Sequence, residues 1–216
     1  GALDDAIGLA GVIEIARAFK QGPQPDRSLV FSAWTAEERG LLGSEYYADH
    51  PLLPLETTVA NFTMDVLQPN GLARDIVLVG AGQNELDSLL AQKAAGQGRV
   101  VTPDAKPERG LAFRADHFPF ARRGVPALLL MGMGGGHDLV NGGREAGDRW
   151  VAEFTGKCYH QACDRWSESW DLRGAAQDVT LVYQMASQLA NSRAWPQWNP
   201  GSEFKAVRDS TVAQRK

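Results

Sequence analysis

The sequence predicts an α/β layered fold, with a largely parallel sheet held between helices, and three observations carry that prediction. Short apolar runs of strand length alternate with stretches of helical spacing along the whole chain. Gly and Pro mark the joints between them. Carboxylates stand where apolar strands give way to loops, which is where open α/β sheets hold their ligands.

The elements follow in order. Ala10, Ile13, Ala16 and Phe19 keep helical spacing behind Asp4 and Asp5, and Gly22-Pro23 with Pro25 ends that helix. Residues 28–34 read as a buried strand, with the loop 35–40 at its C-terminal end. Helical spacing resumes over residues 41–48. Residues 59–66 form a second strand, interrupted near its end by Asp65, and residues 76–79 a third. An amphipathic helix over 85–95, a short strand over 99–102, a helix starting near Asp116 and a buried strand over 126–131 come next. The glycine-rich stretch 132–147 reads as a surface loop and a candidate active-site lid. Residues 174–192 read as the last helix, and Trp195-Pro196-Gln197-Trp198 is expected to pack back on the domain. There is no internal repeat.

Composition narrows the function classes. A chain of 216 residues, 44% hydrophobic, can bury one sizeable core, so a single domain over 1–216 is expected. The net charge of −4 is spread over interspersed signs, with no basic stripe to neutralise phosphates or anionic lipid, which excludes nucleic acid and a membrane surface as partners. No apolar run approaches the roughly 18 residues of a membrane span. The chain opens at Gly1 with no charged or apolar leader, and this start is read as lacking an N-terminal part. Cys158 and Cys163 flank Tyr159-His160-Gln161-Ala162, a spacing that permits a disulfide in an oxidising compartment and equally suits two reduced thiols.

The carboxylates carry the chemistry. Asp65 closes an apolar strand and must be hydrated, paired or bound to metal, or else cap a loop. Glu37 and Glu38 are adjacent, so leaving a strand they point in different directions; one can ligate a metal while the other faces water, although a solvated pair is the commoner outcome. Asp4 and Asp5 stand just before a helix, where N-capping competes with ligation, most strongly for Asp5. His160 has Asp164 nearby as a partner able to fix its tautomer. His117 follows Asp116 at a helix start, while His50 and His137 read as structural or solvated.

At this point the residues resemble the co-catalytic zinc peptidases that include secreted bacterial leucyl aminopeptidases and glutamate carboxypeptidase. Gly1-Ala2-Leu3-Asp4-Asp5-Ala6-Ile7-Gly8 is similar to that family's Gly-Ala-Asp-Asp-Asn-Ala-Ser-Gly segment, with Ile7 in place of serine. Thr35-Ala36-Glu37-Glu38-Arg39-Gly40-Leu41-Leu42-Gly43-Ser44 resembles its Glu-Glu loop. Asn61-Phe62-Thr63-Met64-Asp65 resembles its strand ending in an Asp ligand, and Tyr159-His160-Gln161-Ala162-Cys163-Asp164 its Tyr-His-x-x-x-Asp element. Arg114-Ala115-Asp116-His117-Phe118-Pro119-Phe120 is similar to a site-lining Ser-Asp-His-x-x-Phe element, with Ala115 for serine. The likeness extends to about Trp170.

The resemblance implies a three-layer α/β/α fold and a zinc-dependent aminopeptidase acting on peptide substrates. It makes Asp4 a carboxylate bridging two zinc ions, Glu38 and His160 ligands of one, Asp65 a ligand of the other, and Glu37 the general base toward a metal-bridged hydroxide. Asp5, Asp116, His117, Tyr159 and Asp164 would support ligands or substrate. The family's further histidine, from an upstream His-x-Asp motif, is not in this sequence, so one zinc or none is expected here, with little activity. The family's frequent export favours the disulfide and a secreted or periplasmic location. Two other readings stand beside the aminopeptidase: a single-zinc glutaminyl cyclase, which would keep Asp, Glu and His ligands, and a non-catalytic peptidase-like binding domain.

Overall fold

The computed structural model describes residues 1–215. An irregular turn over Ala2–Ala6 leads into helix α1 (Ile7–Gln21); helix α2 (Leu42–Asp49) and strand β1 (Asn61–Asp65) follow. Then come β2 (Asp75–Val79), α3 (Leu86–Gly96), β3 (Val100–Pro103), the short α4 (Phe118–Arg122) and β4 (Ala127–Met131). Helices α5 (Gly143–Lys157), α6 (Arg173–Ala190) and α7 (Lys205–Ser210) complete the chain.

The strands form one mixed sheet in the order β1-β4-β2-β3. β1 runs parallel to β4 and β2 parallel to β3, while β2 and β4 are antiparallel. β2 and β4 are buried at every position because helices cover both faces. Successive side chains of β4 point to opposite faces. Leu128 and Leu130 join Ile76, Leu78, Leu90, Leu181 and Met185 on the side of α1, α3 and α6. Leu129 and Met131 join Val66, Leu111 and Phe154 on the side of α5. This is the three-layer α/β/α arrangement. No helix among the described residues is long and apolar enough to cross a membrane. The tail packs back as its tryptophans suggest: Trp198 is buried and its indole N–H donates to the Gly124 carbonyl at 2.9 Å.

Helix α1 forms where its spacing places it, but it buries a different face. Ile13 is 57% exposed, whereas Gly8, Gly11 and Ile15 are buried. Gly11 is the reason: a Cβ there would lie 2.9 Å from Val179 of α6 and 3.2 Å from Met64 of β1. A close approach of α1 to its neighbours is thus made by a residue with no hydropathic signal. Ile15→Val is therefore expected to cost about 0.5–1.5 kcal/mol, and Ile13→Val to stay within about ±0.5 kcal/mol. Denaturant titration measures both, and equal effects would contradict this packing.

Two segments depart from the sequence reading. Residues 28–34 form no strand, and Val30 and Phe31 are 57% and 42% exposed. A strand needs a neighbour's backbone; β1 is the sheet's edge, and a cleft lined by both segments lies beside it. The stretch 132–147 is not a surface loop. Residues 132–137 are buried, and α5 begins at Gly143. The glycines serve close approach, since a Cβ on Gly136 would sit 2.2 Å from the Asp148 nitrogen and one on Gly147 would sit 2.1 Å from the His137 carbonyl. The Arg109 guanidinium ties the segment down by donating to the Met133 carbonyl at 2.7 Å.

Candidate active site

Three separate segments converge beyond the carboxyl end of β1. Asp65 is the last residue of that strand. Glu37 and Glu38 open a single 3₁₀ turn (Glu37–Arg39), and Asp4 and Asp5, joined by a cis peptide bond, lead into α1. His160 comes from the loop after α5, which the Cys158–Cys163 disulfide closes with its Cα atoms 5.2 Å apart. Four non-glycine residues have positive φ: Ala36, Leu41, Val66 and His160. One is His160 itself, and Ala36 and Val66 adjoin Glu37 and Asp65. Backbone held in that region costs about 1–3 kcal/mol and gathers at functional sites.

Asp4, Glu38 and His160 are brought together. His160 Nε2 lies 3.2 Å from Asp4 Oδ2 and 3.0 Å from Glu38 Oε2, and one ligand atom from each lies within 4.8 Å of the others. Asp5 is turned away to bind backbone: its Oδ1 accepts the Val66 N–H at 3.0 Å and the Gly8 N–H at 3.1 Å, tying the end of β1 to the start of α1. Asp5 thus takes the capping role, while Asp4 stays with the converging group. Tyr159 packs against His160, with ring centroids 3.7 Å apart, and edge-on to Phe154.

The remaining candidates take other places. Asp116 accepts a hydrogen bond from the Ser44 hydroxyl. His117 is buried, and burial pushes its pKa down to about 4. It is not one of the residues whose ligand atoms converge. His137 is buried beside Asp75 and Asp178, with burial again lowering its pKa. His50 is exposed on α2's C-terminal end. Asp164 does not bond to His160; its carboxylate accepts the backbone N–H groups of Leu3 and Asp4.

The electrostatics point one way. Burial raises Asp5 to about 7, with Asp4 and Asp116 adding repulsion. Burial likewise raises Glu37 to about 7, aided by Asp116, Glu38 and Asp4. Asp65 is raised well above the usual carboxylate range by burial and then by Asp5 and Asp4. Asp4 itself is raised by burial and Glu38, with His160 opposing. Burial raises the Tyr159 hydroxyl to about 12. Arg114 opposes the upward shifts at Glu37 and Tyr159, a role that its place in the segment before Asp116 does not signal. So many half-buried carboxylates repel one another, and a bound divalent cation would supply the countercharge that relieves them. The donor set of two carboxylates and an imidazole suits zinc. A cleft of about 1110 Å³ opens here, lined at this end by Asp4, Asp5, Glu37, Glu38, Asp65 and Asp116.

Fold and site together define an α/β protein with a candidate metal centre at the carboxyl end of an edge strand. The model of peptidase family M28 matches residues 1–184, and the chain belongs to that family. Leupeptin-inactivating enzyme 1 of Streptomyces exfoliatus is 27% identical over 169 residues, which is 76% of this chain and 36% of that protein. Among solved structures, an aminopeptidase from Aneurinibacillus sp. strain AM-1 is similar with a TM-score of 0.57 and 23% identity, over 87% of this chain and 40% of that one. A glutaminyl cyclase from Porphyromonas gingivalis is similar with a TM-score of 0.53 and 18% identity, over 87% of this chain and 66% of that one. The chain spans about a third of the length of the Streptomyces relative.

Proposed function

We propose that this chain is the catalytic part of a zinc aminopeptidase, which hydrolyses the N-terminal peptide bond of its substrate. The convergence of Asp4, Glu38 and His160 ligand atoms carries this reading. Those three residues would hold one zinc ion, and Asp4 with Asp65 would contribute to a second. Bound zinc supplies Lewis-acid polarisation of a carbonyl and lowers the pKa of water. Glu37, whose carboxyl burial and its acidic neighbours push up to about 7 without metal, would ionise when zinc is bound and so serve as the base. It takes the proton from the attacking water and delivers it to the leaving amine. The carboxylates at the cleft's end attract a substrate's free ammonium group, which favours cleavage at the first residue.

The test uses the whole protein on three substrates: an aminoacyl p-nitroanilide, its N-acetylated form, and a peptide beginning with glutamine. Cleavage of the first alone is the expected outcome. Cleavage of both anilides would sink the aminopeptidase reading. Ammonia release from the glutamine peptide without anilide cleavage would favour the glutaminyl cyclase, a reading supported by the single three-residue ligand group found among the described residues. The disulfide supports a secreted or periplasmic location. Two free thiols in the unreduced, denatured protein would remove that support.

A further inference from the structure

We propose that Asp164 is the positioning residue for Asp4, and that the loop closed by Cys158–Cys163 is one clasp holding Asp4 and His160 at ligating distance. The proposal rests on the metal reading above. Asp4 and His160 come from opposite ends of the matched region, and no regular element joins them. The loop does so instead. One Asp164 oxygen accepts the Leu3 N–H at 2.8 Å, the other accepts the Asp4 N–H at 2.9 Å, and the Asp164 carbonyl accepts the Ala2 N–H at 3.2 Å. The Asp164 side chain is 2% exposed, so water does not compete for these bonds.

At the other end of the same loop, the disulfide joins the residue after α5 to the residue before Asp164. His160 lies inside it with φ of 58°. An imidazole on a backbone of that hand is not held by a regular element. Its place follows from the closed loop, the Tyr159 ring against it and the Gln161 N–H donated to the Cys158 carbonyl at 2.9 Å. Asp4 in turn has no regular helical backbone, with φ −119° and ψ 91°. Both ligands therefore hang on residues 158–164, and the loop sets the 3.2 Å between them.

Charge-assisted bonds from two amides to one carboxylate are the strong kind, and groups that orient ligands are worth about 10–100-fold in metal affinity. Asp164→Asn keeps the shape but turns one oxygen into an NH₂ group that faces an N–H. The experiment compares zinc affinity, by competition with a chelating dye, and amide exchange in metal-free protein. Asp164→Asn is expected to weaken zinc binding by about 10–100-fold and to speed exchange at Leu3 and Asp4, while Leu128–Leu130 keep their protection. Zinc affinity within twofold of wild type, or unchanged exchange at Leu3 and Asp4, would overturn the proposal. So would faster exchange throughout, including Leu128–Leu130, since that marks a general structural role. Should the variant not fold, wild-type protein with its disulfide reduced takes its place: weaker zinc binding supports the clasp and unchanged binding overturns it. A wild type that binds no zinc removes the metal reading and its affinity arm, and exchange at Leu3 and Asp4 still decides whether Asp164 holds that backbone.

Discussion

Replacing Glu37 with Gln is expected to lower turnover of the whole protein by about 10²–10⁴ with zinc content unchanged, whereas Glu38→Gln should lose zinc. The two carboxylates are neighbours in one turn but differ in surroundings. Glu38 Oε2 lies 3.0 Å from His160 Nε2, among the converging ligand atoms. Glu37 is not in that group; burial and its acidic neighbours raise it to about 7. An amide at Glu37 keeps its size and removes only a proton acceptor. At Glu38 an amide oxygen is a far poorer ligand than a carboxylate. Metal analysis beside steady-state kinetics separates the two roles. Zinc lost from Glu37→Gln and retained by Glu38→Gln would reverse the assignment.

The parts of this molecule legible in its sequence are those where hydropathy and backbone chemistry agree. β2 and β4 are buried on both faces, so their runs were unmistakable, and the Pro-ended α1 was placed within a few residues. The face of α1 is not legible, because Gly11 packs against α6 without a hydropathic signal. Residues 28–34 carry a strand's composition, but composition does not supply a neighbouring backbone. The segment 132–147 misled for a related reason: glycine signals mobility and close packing with the same letter, and only the Gly136–Asp148 and Gly147–His137 approaches distinguish them. At the site, Asp65 is legible because a carboxylate closing an apolar strand needs a partner, whereas the segment before Glu37 and Glu38 forms no strand. The partner of Asp164 is not legible, because a backbone amide has no identity in a sequence. The division of Asp4 and Asp5 between the converging group and backbone is hidden for the same reason.

Without metal, the protein is expected to lose stability as pH rises from about 6.5 to 8, by on the order of 1 kcal/mol; zinc should remove most of that loss. Asp5 and Glu37 are raised to about 7, and Asp65 is raised well above the usual range, all chiefly by burial. Each carboxylate is deprotonated in the unfolded chain above about pH 4–5. In this window the native state therefore binds more protons than the unfolded state, and stability falls with pH until the native groups have ionised. Below it a second set opposes them. Burial lowers His117 to about 4 and lowers His137 too, so the unfolded chain takes up their protons and stability rises with pH toward about 6.5. The two trends offset each other in the acid range. Above pH 6.5 the histidine effect dies away as the unfolded chain's imidazoles lose their protons, and the carboxylates dominate. Glu37 is half solvated and counts for less than its shift suggests, so Asp5 and Asp65 dominate. A bound cation favours the ionised carboxylates, which brings the native pKa values down and removes the excess protons. Thermal melts at pH 6.5 and 8, each with chelator and with zinc, measure the effect. A fall in melting temperature of a few degrees with chelator, and little with zinc, is expected. A flat metal-free profile would show that these carboxylates ionise normally and that no metal is needed to relieve them.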